Sequence, residues 1–151
     1  MHGHLNVLIG IHQSRSSCLI CVTKFVQVIS CNLPNIKNEV WVTDTTEVVY
    51  GEQLLHKARI HVALDLYGRY ALSYYILSTE TAEVAIKAFE RAFKVEPKVH
   101  PMIHTDRGAT YCSVNFNDYL ASKNCVHSMS HPGHPWENSP MERWWNDFKL
   151  I

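Results

Sequence analysis

A chain of 151 residues is long enough to bury a core of its own and suits one domain. With 46% hydrophobic and 19% charged residues it is ordinary for a globular protein, and its longest early apolar stretch, residues 18–29, is too short and too interrupted (Thr23, Lys24, Gln27) to span a membrane. The 14 Lys and Arg balance 14 Asp and Glu, which argues against a protein that holds nucleic acid through bulk positive charge but not against one that uses metal ions and a few contacts.

Residues 1–34 have no clear period, no helix-turn-helix pattern and no internal repeat. Within them residues 18–22 and 25–29 are rich in Val, Ile and Phe and read as strands. Asn32-Leu33-Pro34-Asn35 is a turn signal, so a boundary is placed after residue 34, with a core expected over residues 35–151. The five cysteines (Cys18, Cys21, Cys31, Cys112, Cys125) are odd in number and unevenly spaced, and no signal-peptide pattern precedes them. Reduced thiols and a cytoplasmic location are the expectation.

From Glu39 the pattern sharpens. Val40-Trp41-Val42-Thr43-Asp44 alternates as a strand, with Asp44 within or just past it. A turn at Gly51-Glu52-Gln53 leads to a second strand over residues 58–64. Asp65-Leu66-Tyr67-Gly68-Arg69 is a turn before a third strand over residues 70–77, and three such strands in succession predict an antiparallel meander. Ala82, Ala85, Ile86, Phe89, Ala92 and Phe93 recur at the spacing of one buried helix face over residues 81–93, and Pro97 ends that segment. A fourth strand over residues 99–105 follows a helical crossover and so runs parallel to a strand of the meander. Ser113 opens a further helix with Phe116, Tyr119 and Leu120 inward and Asn124 at its end. Residues 125–129 read as a fifth strand. Residues 130–138, with Pro132, Gly133 and Pro135, read as a loop. Ser139 as N-cap with Pro140 at the first position starts the last helix. The order is β-β-β-α-β-α-β-α, an α/β layered domain.

Three acids stand out. Asp44 lies on the first strand, Asp106 closes the fourth, and Glu142 starts the last helix, with 35 residues between the latter two. Two hard divalent cations need carboxylates that bridge them and leave room for water. Asp44 and Asp106 become neighbours if their strands pair, and Glu142 could reach them across the sheet end. Blander readings compete. An Asp after a strand is commonly a turn residue. Ser139-x-x-Glu142 is also a capping box, in which the Glu bonds back to the N-cap amide.

The stretches W-V-T-D-T-T, V-A-L-D-L-Y-G-R, I-H-T-D-R-G-A-T-Y, H-S-M-S-H-P-G-H-P-W-E-N-S-P-M-E-R and F-K resemble, in order, the catalytic core of bacterial insertion-sequence transposases of the Asp-Asp-Glu class, the retroviral-integrase-like group. The resemblance runs from about Asn35 to Lys149. It implies a ribonuclease-H-like fold, a five-stranded mixed sheet flanked by helices. It implies that Asp44, Asp106 and Glu142 are the metal-binding catalytic triad for two Mg²⁺ (or Mn²⁺) ions. It further implies DNA cleavage and strand transfer on element ends and target, and a homo-oligomer when active.

Other positions keep two readings. Asp65 matches an acidic residue of the family or braces Arg69 within its turn. Asn138 is a cap or a DNA contact. His104, two residues before Asp106, supports the acids from behind or is a packed strand histidine. Trp136, Trp144 and Trp145 stack on bases or pack, with packing expected for at least one of the last pair. Arg107, Arg143 and Lys149 are the basic residues best placed to touch phosphates. Cys18-x-x-Cys21 with His4 and His12 has the wrong spacing for the zinc module of retroviral integrases, and no zinc is expected. His131 and His134 are expected in the loop, with no partner pair to complete a zinc site. The chain departs from the family in lacking a helix-turn-helix upstream, in ending nine residues after Glu142, and in having no Lys or Arg in residues 130–134. A C-terminally truncated core is therefore expected. The competing expectation is a non-catalytic remnant that pairs with, or inhibits, a full-length transposase.

Overall fold

The computed structural model describes residues 34–149. The strands expected over residues 18–29, and the group Cys18, Cys21, His4 and His12, lie outside the described residues. Strands β1 (Val40–Tyr50), β2 (His56–Asp65) and β3 (Tyr70–Leu77) form the expected antiparallel meander. Helix α1 (Ala82–Val95) then crosses to β4 (Met102–Thr105), which pairs in parallel with β1. A single helical turn, α2 (Ala109–Cys112), leads into α3 (Val114–Ser122) and on to β5 (Val126–Met129), parallel to β4. The sheet order is β3-β2-β1-β4-β5, and α4 (Ser139–Lys149) follows.

Alternation along β1 divides the core. Trp41 faces a cluster with Phe89, Phe93, Ile103, Phe116 and Leu120, under α1 and α3. Val40 and Val42 face the other way, with Ile60, Val62, Leu64, Met141 and Trp145, under α4. Asp44 has the parity of the α4 face, and Asp106, the residue after β4, continues the parity of Met102 and His104. Each core side chain is held by burial worth about 1.5–3 kcal/mol.

Several elements differ from their expected bounds for local reasons. β1 runs on to Tyr50, so Asp44 takes the first of its two expected positions, within the strand; β2 pairs with β1 along its whole length, from Trp41 opposite Asp65 to Tyr50 opposite His56. β4 starts only at Met102, because Pro101 has no amide to donate to the ladder. Cys125 is excluded from β5, since its amide is spent on Leu120 O at the end of α3. The one-turn helix α2 was not expected, being too short to show a period. On α1, Val84 and Ala88 are fully buried, whereas Ala82 and Ile86 lie at the margin. Asn124 takes the left-handed conformation (φ 55°) just past the C-cap, Lys123. Tyr119 is only half-buried, beside the buried Phe116 and Leu120. The segment expected as loop closes with a 3₁₀ turn, Pro135–Asn138, that runs directly into α4.

Candidate active site

β1 and β4 pair through Val40–Met102, Trp41–Ile103 and Val42–His104. Two residues beyond the last of these pairs stand Asp44, within β1, and Asp106, immediately after β4, and both line the same cleft. Glu142, in the first turn of α4, lines the same open cleft of about 440 Å³. The structure thus brings the three predicted acids to one place.

Each acid is held differently. The Thr45 amide donates to Asp44 Oδ1 (2.8 Å) and the Trp145 indole N–H donates to Asp44 Oδ2 (3.1 Å). Burial raises the Asp44 carboxyl above the ordinary carboxylate range, the Thr45 amide opposes that, and the charges of Asp106 and Glu142 add to the rise. The Gly108 amide donates to Asp106 Oδ1 (2.8 Å). A side chain at Gly108 would put its Cβ 3.0 Å from that oxygen, so glycine allows the close approach. Glu142 is exposed and makes no hydrogen bond among the described residues. The expected capping box is absent: Ser139 is itself helical (φ −55°, ψ −28°), and its amide already donates to Trp136 O across the junction with the 3₁₀ turn. With that amide satisfied, the Glu142 carboxylate faces the cleft.

Three carboxylates suit a hard divalent cation, and each keeps oxygen lone pairs facing the cleft. As the side chains stand, no three His, Cys, Asp or Glu groups among the described residues are close enough to enclose an ion.

The remaining predicted residues separate. Arg107 and Asn138 line the cleft. Arg107 is exposed and anchored by its Nε–H to Ser130 O (2.8 Å), leaving its other N–H groups outward. Asn138 is 8% exposed and its Oδ1 is buried without a partner. Arg143 is not in the cleft: it lines a separate cavity of about 290 Å³ with Leu66, Arg69 and Trp144. Lys149 is exposed in the last turn of α4. His104 is a packed strand histidine, fully buried between Ser128 Oγ (3.2 Å) and Ser130 Oγ (3.1 Å); burial pushes it down to about 3, so the ring is neutral. Asp65 does not brace the Arg69 guanidinium. Fully buried, its carboxylate accepts from the backbone amides of Asn38 (2.8 Å) and Gly68 (2.9 Å), away from the cleft. Trp145 is buried and Trp144 partly so, while Trp136 is 59% exposed, edge-on to His134.

Sequence reasoning missed two features. One is the pairing of His131 with Glu137, which accepts from its amide (2.7 Å) and its Nδ1–H (2.9 Å) and closes the loop that walls the cleft. No spacing rule links a loop histidine to an acid six residues later. The bond from Trp145 to Asp44 was also missed, although Trp145 lies one turn past Glu142 and so shares its side of the helix.

Residues 34–135 match the family model described as the integrase core domain, a span that contains Asp44 and Asp106 and ends before Glu142. The chain is 32% identical over 117 residues to the insertion element IS600 uncharacterized 31 kDa protein of Shigella sonnei, covering 77% of this chain and 42% of that protein. It is 30% identical over 115 residues to the transposase InsF for insertion sequence IS3A of Escherichia coli K12, covering 75% and 38%. It thus spans about two fifths of the length of these relatives. Among solved structures it resembles the HTLV-2 integrase catalytic core domain in complex with magnesium, with TM-score 0.64, 25% identity, and coverage of 78% of this chain and 71% of that one. The simian T-cell lymphotropic virus intasome shares the fold at TM-score 0.70 and 24% identity, with coverage of 78% and 41%. Among the described residues no helix is long and apolar enough to cross a membrane.

Proposed function

The chain belongs to the integrase core domain family and has its ribonuclease-H-like fold, and from that premise we propose that it is the catalytic core of an insertion-sequence transposase. It cleaves DNA phosphodiesters at element ends and joins the ends to target DNA, as part of a homo-oligomer. Residues 35–151 form this core and residues 1–34 stand outside it. The observation that carries the reading is the convergence of Asp44, Asp106 and Glu142 on one cleft.

Asp44, Asp106 and Glu142 would hold two Mg²⁺ or Mn²⁺ ions. When bound, the ions would polarise the attacking and leaving oxygens of an in-line displacement at phosphorus, the attacker being water in cleavage and a 3′-hydroxyl in strand transfer. The Asp44 carboxylate is held in orientation by donors on both oxygens, and Asp106 by the Gly108 amide. Glu142 enters from a different element, so α4 must keep its place for the set to be complete. The outward N–H groups of Arg107 are suited to a phosphate oxygen. With no Lys or Arg in residues 130–134, few other charges help to hold DNA at this rim. The HTLV-2 relative, solved with magnesium, supports the choice of cation.

The test is to incubate the 151-residue chain with Mn²⁺ and end-labelled element-end DNA. A nicked product with a free 3′-hydroxyl is expected, and it should vanish in Asp106→Asn. Cleavage that persists in that variant would remove the triad from the mechanism.

A further inference from the structure

We infer that Trp145 is a positioning residue: its indole N–H ties helix α4 to Asp44 and so sets the separation of Asp44 and Glu142. The inference rests on the reading of those two acids as cation ligands. Trp145 is 5% exposed, and its Nε1–H donates to Asp44 Oδ2 at 3.1 Å, a side-chain bond between residues 101 positions apart. It lies one turn after Glu142 on α4. Four residues before it, Met141 is fully buried in the same cluster with Val42 and Val62. Met141 and Trp145 therefore seat the helix by apolar packing, which has no direction of its own.

The indole bond supplies the direction. The Thr45 amide on Oδ1 and the indole on Oδ2 together block rotation of the Asp44 carboxylate, and each oxygen keeps a free lone pair. Because the indole belongs to the helix that carries Glu142, any slide of α4 along the sheet breaks this bond. Like charges on Asp44 and Glu142 push the helix outward, and the indole bond opposes that push. Groups that orient a ligand in this way are commonly worth 10-fold to 100-fold in metal affinity.

Mn²⁺ binding to the 151-residue chain, measured by calorimetry, tests this without any DNA. Trp145→Phe keeps an aromatic ring in the cluster and removes the N–H together with the rest of the indole. It is expected to raise the Mn²⁺ dissociation constant about tenfold, while its melting temperature in EDTA stays within a few degrees of wild type. Trp144→Phe, which removes the neighbouring indole, is expected to leave the affinity unchanged. Equal affinities for wild type and Trp145→Phe would overturn the inference and leave the metal reading standing. No Mn²⁺ uptake by the wild type would overturn both. If Trp145→Phe does not fold, the wild type decides through NMR. The Trp145 indole N–H resonance should shift with Mg²⁺, reaching half of its full shift where half of the chains have bound the ion, and an unmoved resonance would overturn the role.

Discussion

Asp44, within β1, and Asp106, immediately past the end of the parallel strand β4, each lie two residues beyond the paired Val42 and His104. This closeness costs the fold something, because burial and the neighbouring charges of Asp106 and Glu142 raise the Asp44 carboxyl. Asp106→Asn keeps an acceptor for the Gly108 amide and removes one of those charges. The variant should melt no lower than wild type in EDTA, with a gain of at most about 1 kcal/mol in a partly hydrated cleft. The Asp44 carboxyl, followed by carbon NMR, should titrate at lower pH than in wild type. Cleavage should fall by roughly three orders of magnitude or more, as expected when several kcal/mol of cation-held transition-state stabilisation are lost.

Glu142 separates a capping role from a chemical one. A cap is worth about 1 kcal/mol, yet Ser139 N–H already donates to Trp136 O. Glu142→Ala, which leaves no side chain able to reach the Ser139 amide, should therefore change the urea unfolding free energy by less than about 0.5 kcal/mol, the usual range for an exposed site. The same variant should be inactive in DNA cleavage. A loss of stability as large as a cap's would restore the capping box.

Gly108 should tolerate no side chain without loss of function. Its φ of −57° suits alanine, so the backbone is not the obstacle. The new Cβ would sit 3.0 Å from Asp106 Oδ1 and push that carboxylate aside. Gly108→Ala should keep most of its stability while its cleavage rate falls, by up to about 100-fold if the shift approaches 1 Å. Comparing melting temperature with rate on the same preparation checks the split.

Asp65 should matter for folding alone. Its two oxygens hold the Asn38 and Gly68 amides at the start of β1 and the turn after β2. Asp65→Ala strands both amides and should cost about 3 kcal/mol in urea denaturation, given about 1.5–3 kcal/mol for a hydrogen bond to a charged group. The cleavage rate per folded molecule should be nearly unchanged. A selective loss of rate would place Asp65 in the chemistry.

The fold should weaken in mild acid. Burial pushes His127 down to about 4, and burial, followed by the charge of Arg59, pushes His61 down to about 4. Asn117 spends its amide nitrogen on the carbonyls of Tyr111 and Ser113, so its Oδ1 accepts from His127 Nδ1–H (2.7 Å). Below about pH 6.5 the unfolded chain protonates both rings while the folded chain does not. Stability is thus fully present above that pH. It is lost as pH falls toward 4, by at most about 1.4 kcal/mol per pH unit for each ring. Asp44, raised in the fold, works in the opposite sense. His127→Gln should flatten the dependence of the urea midpoint on pH between 7 and 5, and an unchanged slope would show that His127 is not buried neutral.

Much of this was legible in the chain alone. Alternation over Val40–Asp44 places Asp44 on the face of Val40 and Val42, and the helical spacing of Phe89, Ala92 and Phe93 forms the crossover that makes β4 parallel to β1. Residue type and interval picked out the three acids, and only the resemblance to Asp-Asp-Glu transposases favoured a metal site over turn and capping roles. These are properties of single segments, carried by backbone period and side-chain chemistry, so no tertiary contact was needed to read them.

Other features were decided only by the assembled fold. Asp44 meets Asp106 because of the β1–β4 register. Glu142 faces the cleft because the 3₁₀ turn satisfies Ser139's amide. Arg143 falls on another cavity, and Asp65 turns to backbone amides rather than to Arg69. The bond of Trp145 to Asp44 spans 101 residues, and that of His131 to Glu137 lies inside a loop. Each depends on strand register, helix docking or loop closure, and these are set by the packing of whole elements against one another, which no local pattern encodes.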